Sequence, residues 1–369
     1  MTNVLLAGGG TGGHLMPALA VADAARRLHP DWRFVFAGAE RGIEATVLPD
    51  RGVPYHLLPF HPLYRRQWWK NLRWPTLLPS LLRRIDAMLD QEQPAVVIGT
   101  GGYVSGPVLW RAARRKIPTG ILELDVRPGI ATRLLVGRVR EVWLAAPETL
   151  TALPKARRAT VTGAPISPPD PSRRDAARQR FEISADRPVV VVTGGSQGAL
   201  AMNRVVAEWL RGGGGDMVQV IWATGRATHS EFASLHHPPS VHVIPFIDPM
   251  ADAWSVADLC VARAGMMTLA ELCAWGIPSV LIPLQSSASD HQTRNAGAMA
   301  AAGAAVVLPQ AGLEVATLDG VLRELITDGP RRVAMATAAR ARGRPGAATS
   351  IAQRIEALVS GGQCAAGNS

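Results

Sequence analysis

Cysteine is scarce in this 369-residue chain. Its three copies, Cys260, Cys273 and Cys364, are too few and too scattered for a disulfide scaffold or a four-ligand zinc site, and a reducing compartment is expected. Long apolar runs are missing too: none reaches the roughly 18–20 residues that cross a bilayer. The opening MTNVLLAGGG has no basic region ahead of a hydrophobic stretch, so it reads as a strand stopping at glycines, not as a signal peptide. Aromatics make up only 5% of the chain, and acids are outnumbered, 29 Asp and Glu against 39 Lys and Arg. With 18% charged and 47% hydrophobic residues, disorder along the whole chain is excluded. A cytoplasmic protein of about two domains remains.

The basic surplus is informative. A net charge of +10 draws the chain to something anionic: nucleic acid, lipid headgroups or a phosphorylated substrate. Ten tryptophans exceed six phenylalanines and three tyrosines, so where the tryptophans sit matters.

The chain alternates between short apolar runs and alanine-rich helical spacing. NVLLA leads into GGGTGGH and then PALAVADAARRL, with Pro17 expected near a helix start, where a missing N–H costs nothing. RFVFAG, PYHLLPF, AVVIGTGG, TGILEL, EVWLAAP and ATVTG continue the pattern, with a helix around 77–89. Near residue 165 the texture becomes proline-rich and charged, and at Val189 it restarts: PVVVVTG, GSQGALAMNRVVAEWL, MVQVIWAT, VHVIPF, DLCVARA, SVLIPL and AAVVLP. VLLAGGGTGGHLMPALA and VVVVTGGSQGALAMNRVV form a weak internal repeat. The expected fold is α/β, two Rossmann-like doubly wound parallel-sheet domains facing across a cleft. The expected boundaries are 1–164; a linker with a first short helix at 165–187; 188–345; a C-terminal helix at 346–360 packing back on the first domain; and a tail at 361–369.

Several motifs carry chemistry. Gly8–His14 lets backbone N–H groups approach an anion. Gly8, Gly10 and Gly13 also satisfy the dinucleotide fingerprint GxGxxG, with Glu40 as the acid that would follow, so a nicotinamide dehydrogenase stays open. His14, directly after the last glycine, argues against it. Gly194–Ala199 is a second glycine loop opening a helix, suited to a diphosphate, with Ser196 as a side-chain donor. In RAGMMTLAE, Thr268 and Glu271 lie three apart on one helix face; Glu271 suits either a ribose diol or a capping box. DHQTRNA places Asp290, Gln292 and Asn295 on a first turn, which suits sugar hydroxyls or an ordinary polar helix start. Glu123 and Asp125 after a strand suit a divalent metal only weakly. Between residues 63 and 89, Arg65, Arg66, Lys70, Arg73, Arg83 and Arg84 interleave with Tyr64, Trp68, Trp69, Trp74 and leucines. Trp110 with Arg111, Arg114, Arg115 and Lys116 adds a second cluster. Arginine with tryptophan fits a membrane surface or nucleic acid; the leucines favour the membrane.

Taken in order, GGTGGH–PALA, GTGGYVSGP, GGSQGA–N, FIDPM–A, RAG–T–EL and DHQTRNA resemble the MurG family of peptidoglycan N-acetylglucosaminyltransferases, from Val4 to about Ala305. The resemblance implies the GT-B fold and an inverting transfer of N-acetylglucosamine from its UDP donor to the 4-hydroxyl of the muramic acid on undecaprenyl pyrophosphate, lipid I to lipid II. It implies no cofactor, no metal and no nucleic acid. It places the enzyme on the inner face of the cytoplasmic membrane through Trp68, Trp69, Lys70, Arg73, Trp74 and Trp110, with other cell-wall synthesis proteins as partners. The N-terminal half would hold the acceptor and its pyrophosphate with Thr11, Gly12, Gly13, Gly101, Gly102, Tyr103, Ser105 and Asp125. The C-terminal half would hold the donor with Ser196, Gln197, Gly198, Ile247 (after the fifth strand), Met267, Thr268, Glu271 and Gln292. His14 is the expected general base, with Glu123 next in line. The sequence departs from the family pattern between the halves, at Leu122 and Leu124, and in the linker, at Ala164 and Ser167. A related transferase with another lipid-linked or secondary-metabolite acceptor is the alternative those departures leave.

Overall fold

A computed structural model describes residues 2–60, 74–195, 198–284 and 290–366. The chain divides into two compact units: residues up to Ser167 together with the segment from Gly346, and Pro168–Pro345.

In the first unit, β1 (Asn3–Gly8), β2 (Arg33–Ala39), β3 (Tyr55–Leu58), β4 (Val96–Gly101), β5 (Thr119–Glu123), β6 (Glu141–Leu144) and β7 (Ala159–Val161) form one sheet in the order β3-β2-β1-β4-β5-β6-β7. Every pairing is parallel. The helices are α1 (Gly12–Leu28), α2 (Glu44–Asp50), α3 (Trp74–Glu92), α4 (Gly102–Arg114) and α5 (Ile130–Leu135). A parallel sheet covered on both faces buries its strands throughout, which is why NVLLAG reads as a continuous apolar run.

The second unit contains α6 (Arg174–Arg180), β8 (Val189–Thr193), α7 (Leu200–Arg211), β9 (Gln219–Ala223), α8 (His229–Phe232), β10 (Val241–Ile244), α9 (Met250–Val256), β11 (Leu259–Ala262), α10 (Met266–Trp275), β12 (Ser279–Leu281), α11 (His291–Ala301), β13 (Ala305–Val307), α12 (Val315–Thr327) and α13 (Gly329–Arg342). Its parallel sheet has the order β10-β9-β8-β11-β12-β13. Both sheets therefore reverse direction beside their first strand, between β1 and β4 and between β8 and β11. Ligands of open α/β sheets bind at such switch points, beyond the carboxyl ends of the strands. All four strands there run into a motif singled out above.

A final helix, α14 (Ala347–Ala366), belongs to the first unit and packs along α1. Ile351, Ile355 and Val359, spaced by four, are buried along with Ala348 and Ala352. Arg354 reaches the buried carboxylate of Glu141 on β6.

Four expectations change. Pro17 lies inside α1, in its second turn, so it removes an intrahelical bond to the Gly13 carbonyl and does cost a hydrogen bond. The stretch 165–187 holds its short helix, α6, but Ala177 and Phe181 are buried in the second unit's core beside Val189, so it is part of that unit. The tail expected from 361 is helical as far as Ala366. Ile247 follows β10, the third strand of its unit.

Candidate active site

In the first unit the turns after β1 and β4 meet. Thr11 caps α1 with extended backbone, and its hydroxyl turns to the His14 ring, Oγ1 to Nδ1 3.1 Å. The Thr100 hydroxyl donates to the His14 carbonyl at 2.9 Å and so ties the start of α1 to β4. The imidazole rests on Gly101 and Gly102. A Cβ on Gly101 would come within 2.5 Å of the ring, and one on Gly102 would overlap the Gly9 carbonyl. Both glycines have left-handed backbone, φ +101° and +76°, so sterics and conformation both require glycine. Tyr103 lies over Gly10 and stacks edge-on against Phe60, 6.2 Å between centroids. His14, Thr11, Gly12, Gly13, Gly101, Gly102 and Tyr103 thus come together. Gly12 and Gly13 are first-turn residues whose N–H groups have no intrahelical acceptor.

The rest of the acceptor set is placed differently. Ser105 is buried, its hydroxyl packed under the turn against Gly99, so it supports the loop from behind. Glu123 is buried: one carboxylate oxygen accepts from Gly129 N–H (2.9 Å) and the other from Asp125 N–H (3.3 Å). Burial pushes its pKa up, and hydrogen bonds from Thr132 and Gly129 act the other way. With both oxygens engaged, Glu123 holds the 125–129 loop and is badly placed to be a base. Asp125 is half-buried, with its carbonyl accepting from Thr149 Oγ1 (3.2 Å).

Glu44 was missed by sequence reasoning. It is fully buried on the first turn of α2, and its Oε1 accepts the Gly10 N–H. A Cβ on Gly9 or Gly42 would overlap its carboxylate, and one on Gly38 would press its stem. Burial raises its pKa, opposed by backbone hydrogen bonds. The amide of Gly10, expected to face an external anion, is therefore taken by the chain's own carboxyl. The sequence signal is the pair of glycines shortly before it, Gly38 and Gly42, with no visible reason to be glycine.

In the second unit, Ser196 and Gln197 lie outside the described residues. Gly198, at φ +73°, would push a Cβ to within 2.7 Å of the Thr224 carbonyl. Buried Asn203 fastens this end of α7 to the end of β9: its Nδ2 donates to Thr224 O (2.7 Å), and its Oδ1 accepts from Trp222 Nε1 (3.2 Å). α10 starts after Gly265, so the amides of Met266, Met267 and Thr268 lie at its open N-terminus. Glu271 is the sixth residue of α10, too far along to close a capping box. Its Oε2 accepts from the buried Trp254 Nε1 at 3.0 Å. Burial raises its pKa and that indole bond lowers it. Trp254 was also missed, because only the fold brings α9 beside α10.

Gln292 is half-buried on the first turn of α11, its Oε1 accepting from Leu284 N–H at 2.9 Å. Asn295, expected to face sugar hydroxyls, is buried and donates to the Ala264 carbonyl (3.3 Å), so it braces the turn after β11. Arg263, at the end of β11, is likewise buried and bonded to the Ile282 carbonyl (2.9 Å) and Gln310. The Ile247 side chain is buried in the core, which leaves only its backbone for a ligand. Among the described residues no three His, Cys, Asp or Glu side chains gather as a metal site.

Trp68, Trp69, Lys70 and Arg73 lie outside the described residues, and of Trp74 only the backbone, opening α3, is described. Trp110 is half-buried against the core, with the Arg111 and Arg114 guanidinium groups 5.6 and 5.0 Å from its ring. Arg111 pairs with Asp86, and Arg115 with Asp86 and Asp90. The second basic cluster is thus partly neutralised by α3. No described helix is long and apolar enough to cross a membrane.

Residues 4–144 match the glycosyltransferase family 28 N-terminal domain, and residues 189–355 its C-terminal domain. The UDP-N-acetylglucosamine–N-acetylmuramyl-(pentapeptide) pyrophosphoryl-undecaprenol N-acetylglucosamine transferase of Salinibacter ruber is 40% identical over 364 residues, 97% of each chain. The protein of that name from Carboxydothermus hydrogenoformans is 37% identical over 90% of this chain and 91% of its own. The crystal structure of Acinetobacter baumannii MurG superposes with a TM-score of 0.76 at 26% identity, covering 96% of this chain and 99% of that one. The chain belongs to the MurG family. Its two parallel-sheet units are those of a GT-B glycosyltransferase, a fold also seen in the kitacinnamycin glycosyltransferase (TM-score 0.72, 18% identity, 97% and 99% coverage). Membership replaces the dehydrogenase reading with a glycosyltransferase. Three of the four departures from the MurG pattern, Leu122, Leu124 and Ala164, are buried apolar side chains, and only Ser167 is exposed.

Proposed function

We propose that this chain transfers N-acetylglucosamine from UDP-N-acetylglucosamine to the 4-hydroxyl of N-acetylmuramyl-pentapeptide on undecaprenyl pyrophosphate, making lipid II from lipid I with inversion at the anomeric carbon. The observation that carries the mechanism is the His14 imidazole seated on Gly101–Gly102 at the switch point of its sheet. In the tautomer that gives Nδ1–H to Thr11 Oγ1, Nε2 carries the lone pair that takes the acceptor hydroxyl's proton. Inversion needs one such base and no enzyme nucleophile. Acceptor pyrophosphate is read onto the Gly12 and Gly13 amides and the turn at Gly101–Tyr103, with Asp125 just after β5, the strand paired with β4. Donor diphosphate is read onto Ser196, Gln197, Gly198 and the N-terminus of α10 at Met267 and Thr268, whose dipole stabilises charge on departing UDP. Glu271 accepts the ribose diol, the Ile247 backbone meets the uracil edge, and Gln292 meets the sugar. Attachment to the cytoplasmic face of the membrane, through the Trp- and Arg-rich stretch after residue 62, belongs to the same reading, as do cell-wall synthesis partners.

A transfer assay with lipid I and a panel of radiolabelled UDP-sugars tests this. Labelled lipid II should form from UDP-N-acetylglucosamine alone. His14→Ala should lower turnover by roughly 10²–10⁴-fold with donor affinity kept. Normal turnover in that variant, or transfer to a different acceptor only, overturns the reading.

A further inference from the structure

The second unit has a recess at the opposite ends of its strands from the glycine turns. A cavity of about 550 Å³ is lined by Arg174, Trp254, Asp258, Trp275, Arg332 and Arg340. A second, of about 300 Å³, shares Arg174, Asp258 and Arg332 and adds Arg178, Asp186 and Arg187. Asp258 immediately precedes β11, which places the recess at the amino ends of the strands.

Several arginines elsewhere in this unit are paired with acids. Arg173 and Arg180 share Asp252, Arg204 pairs with Glu231, Arg323 with Asp319 and Arg331 with Glu324. The division runs within single helices: on α6, Arg180 is paired, whereas Arg174 and Arg178 face the recess; on α13, Arg331 is paired, whereas Arg332 and Arg340 face it. Among the described residues none of the five recess arginines makes a close ion pair with a carboxylate, although the charge of Arg187 helps to lower the pKa of Asp186. Four of the five hydrogen-bond to neutral groups: Arg174 to the Ser255 carbonyl (3.4 Å), Arg178 to the Ser184 carbonyl (2.9 Å), Arg187 to the Ser240 hydroxyl (3.4 Å) and Arg332 to the Leu325 carbonyl (2.6 Å). Of the two acids present, Asp258 accepts from Val189 N–H (2.8 Å), and Asp186 accepts from the Ser184 hydroxyl and offsets part of the Arg187 charge. Five guanidinium groups against two carboxylates leave a surplus of like charge around one concavity. Such crowding is unfavourable until an anion enters, and planar guanidinium forks match oxyanions.

We infer that this recess binds a polyvalent oxyanion of the phosphate class, at a site separate from both glycine turns. The half-buried Trp275 ring and the buried Trp254 give it an apolar wall, which strengthens the electrostatics by excluding water. Soluble phosphates and phospholipid headgroups share this chemistry.

Equilibrium dialysis of the full-length protein with radiolabelled inorganic pyrophosphate, in saturating UDP to occupy the donor site, tests the inference. A saturable site that depends on Arg174 and Arg340 should appear, beside any pyrophosphate held at the acceptor turn of the first unit. The Arg174→Gln/Arg340→Gln variant, which leaves the backbone bonds of Arg332 in place, should bind at least about tenfold more weakly, with UDP affinity unchanged as the check on its fold. Phosphatidylglycerol vesicles that displace the pyrophosphate would assign the site to a headgroup; failure to displace would assign it to a soluble anion. Absence of a saturable site under UDP, or equal pyrophosphate affinity in a variant that binds UDP normally, overturns the inference.

Discussion

Glu271 shows what a buried carboxylate needs from its neighbours. Burial alone pushes it towards the neutral form, and the Trp254 indole N–H holds it back. Removing that donor must raise its pKa further. A hydrogen bond to a charged group contributes about 1.5–3 kcal/mol, and one pKa unit corresponds to about 1.4 kcal/mol. In Trp254→Phe the acid limb of kcat/KM for the donor should therefore move about one pH unit upward. KM should rise and kcat at alkaline pH should stay close to that of the parent. A pH profile that does not move would mean that Glu271 takes no part in donor binding as an anion. The residues that sequence could supply, His14 and the glycines around it, stand in one local stretch whose turn and helix start are written consecutively. Glu44 and Gly10 are 34 positions apart, Trp254 and Glu271 17, and Asn295 and Ala264 31. No spacing rule of a single strand or helix reaches across those gaps, so Glu44 and Trp254 went unseen, Asn295 reads as a sugar ligand although it braces the turn after β11, and Glu123 reads as a second base although both its oxygens hold the 125–129 loop.

Among the elements, the strands were the most legible, because a parallel sheet covered on both faces leaves unbroken apolar runs such as VVVVT, buried throughout. The ends of elements were less so. Whether α6 is linker or domain depends on where Phe181 packs, and whether the chain frays after 360 depends on what α14 rests against. Both are tertiary facts. α14 also makes a stability prediction. Ile355 is fully buried on the face that α14 turns inward. Ile355→Ala should cost about 2–5 kcal/mol in chemical denaturation of the first unit. A loss under about 0.5 kcal/mol, the usual size for a surface change, would mean that the helix is only loosely docked.

For the molecule as a whole, the surplus of ten positive charges fits an anionic surface, and each basic group near such a leaflet contributes about 1 kcal/mol. Because Arg111 and Arg115 are already paired with acids on α3, the proposed membrane attachment would rest mostly on the stretch around Trp68 and Trp69. Flotation with anionic vesicles should weaken with salt yet persist, since the apolar part is not screened. Replacing Trp68, Trp69 and Trp74 by Ser, with Arg65 and Arg66 by Gln, should abolish it while sparing turnover of a soluble short-chain acceptor. Continued flotation of that variant would remove the stretch from the membrane reading. The order of synthesis gives the return of α14 a different meaning. Residues 168–345 are translated between β7 and the helix that completes the first unit. At about 5–20 residues per second, α1 waits on the order of ten seconds or more for its partner. Until then the apolar stripe of α1 that α14 will cover is open to ribosome-associated chaperones. The half of the enzyme that is made first is the last to close.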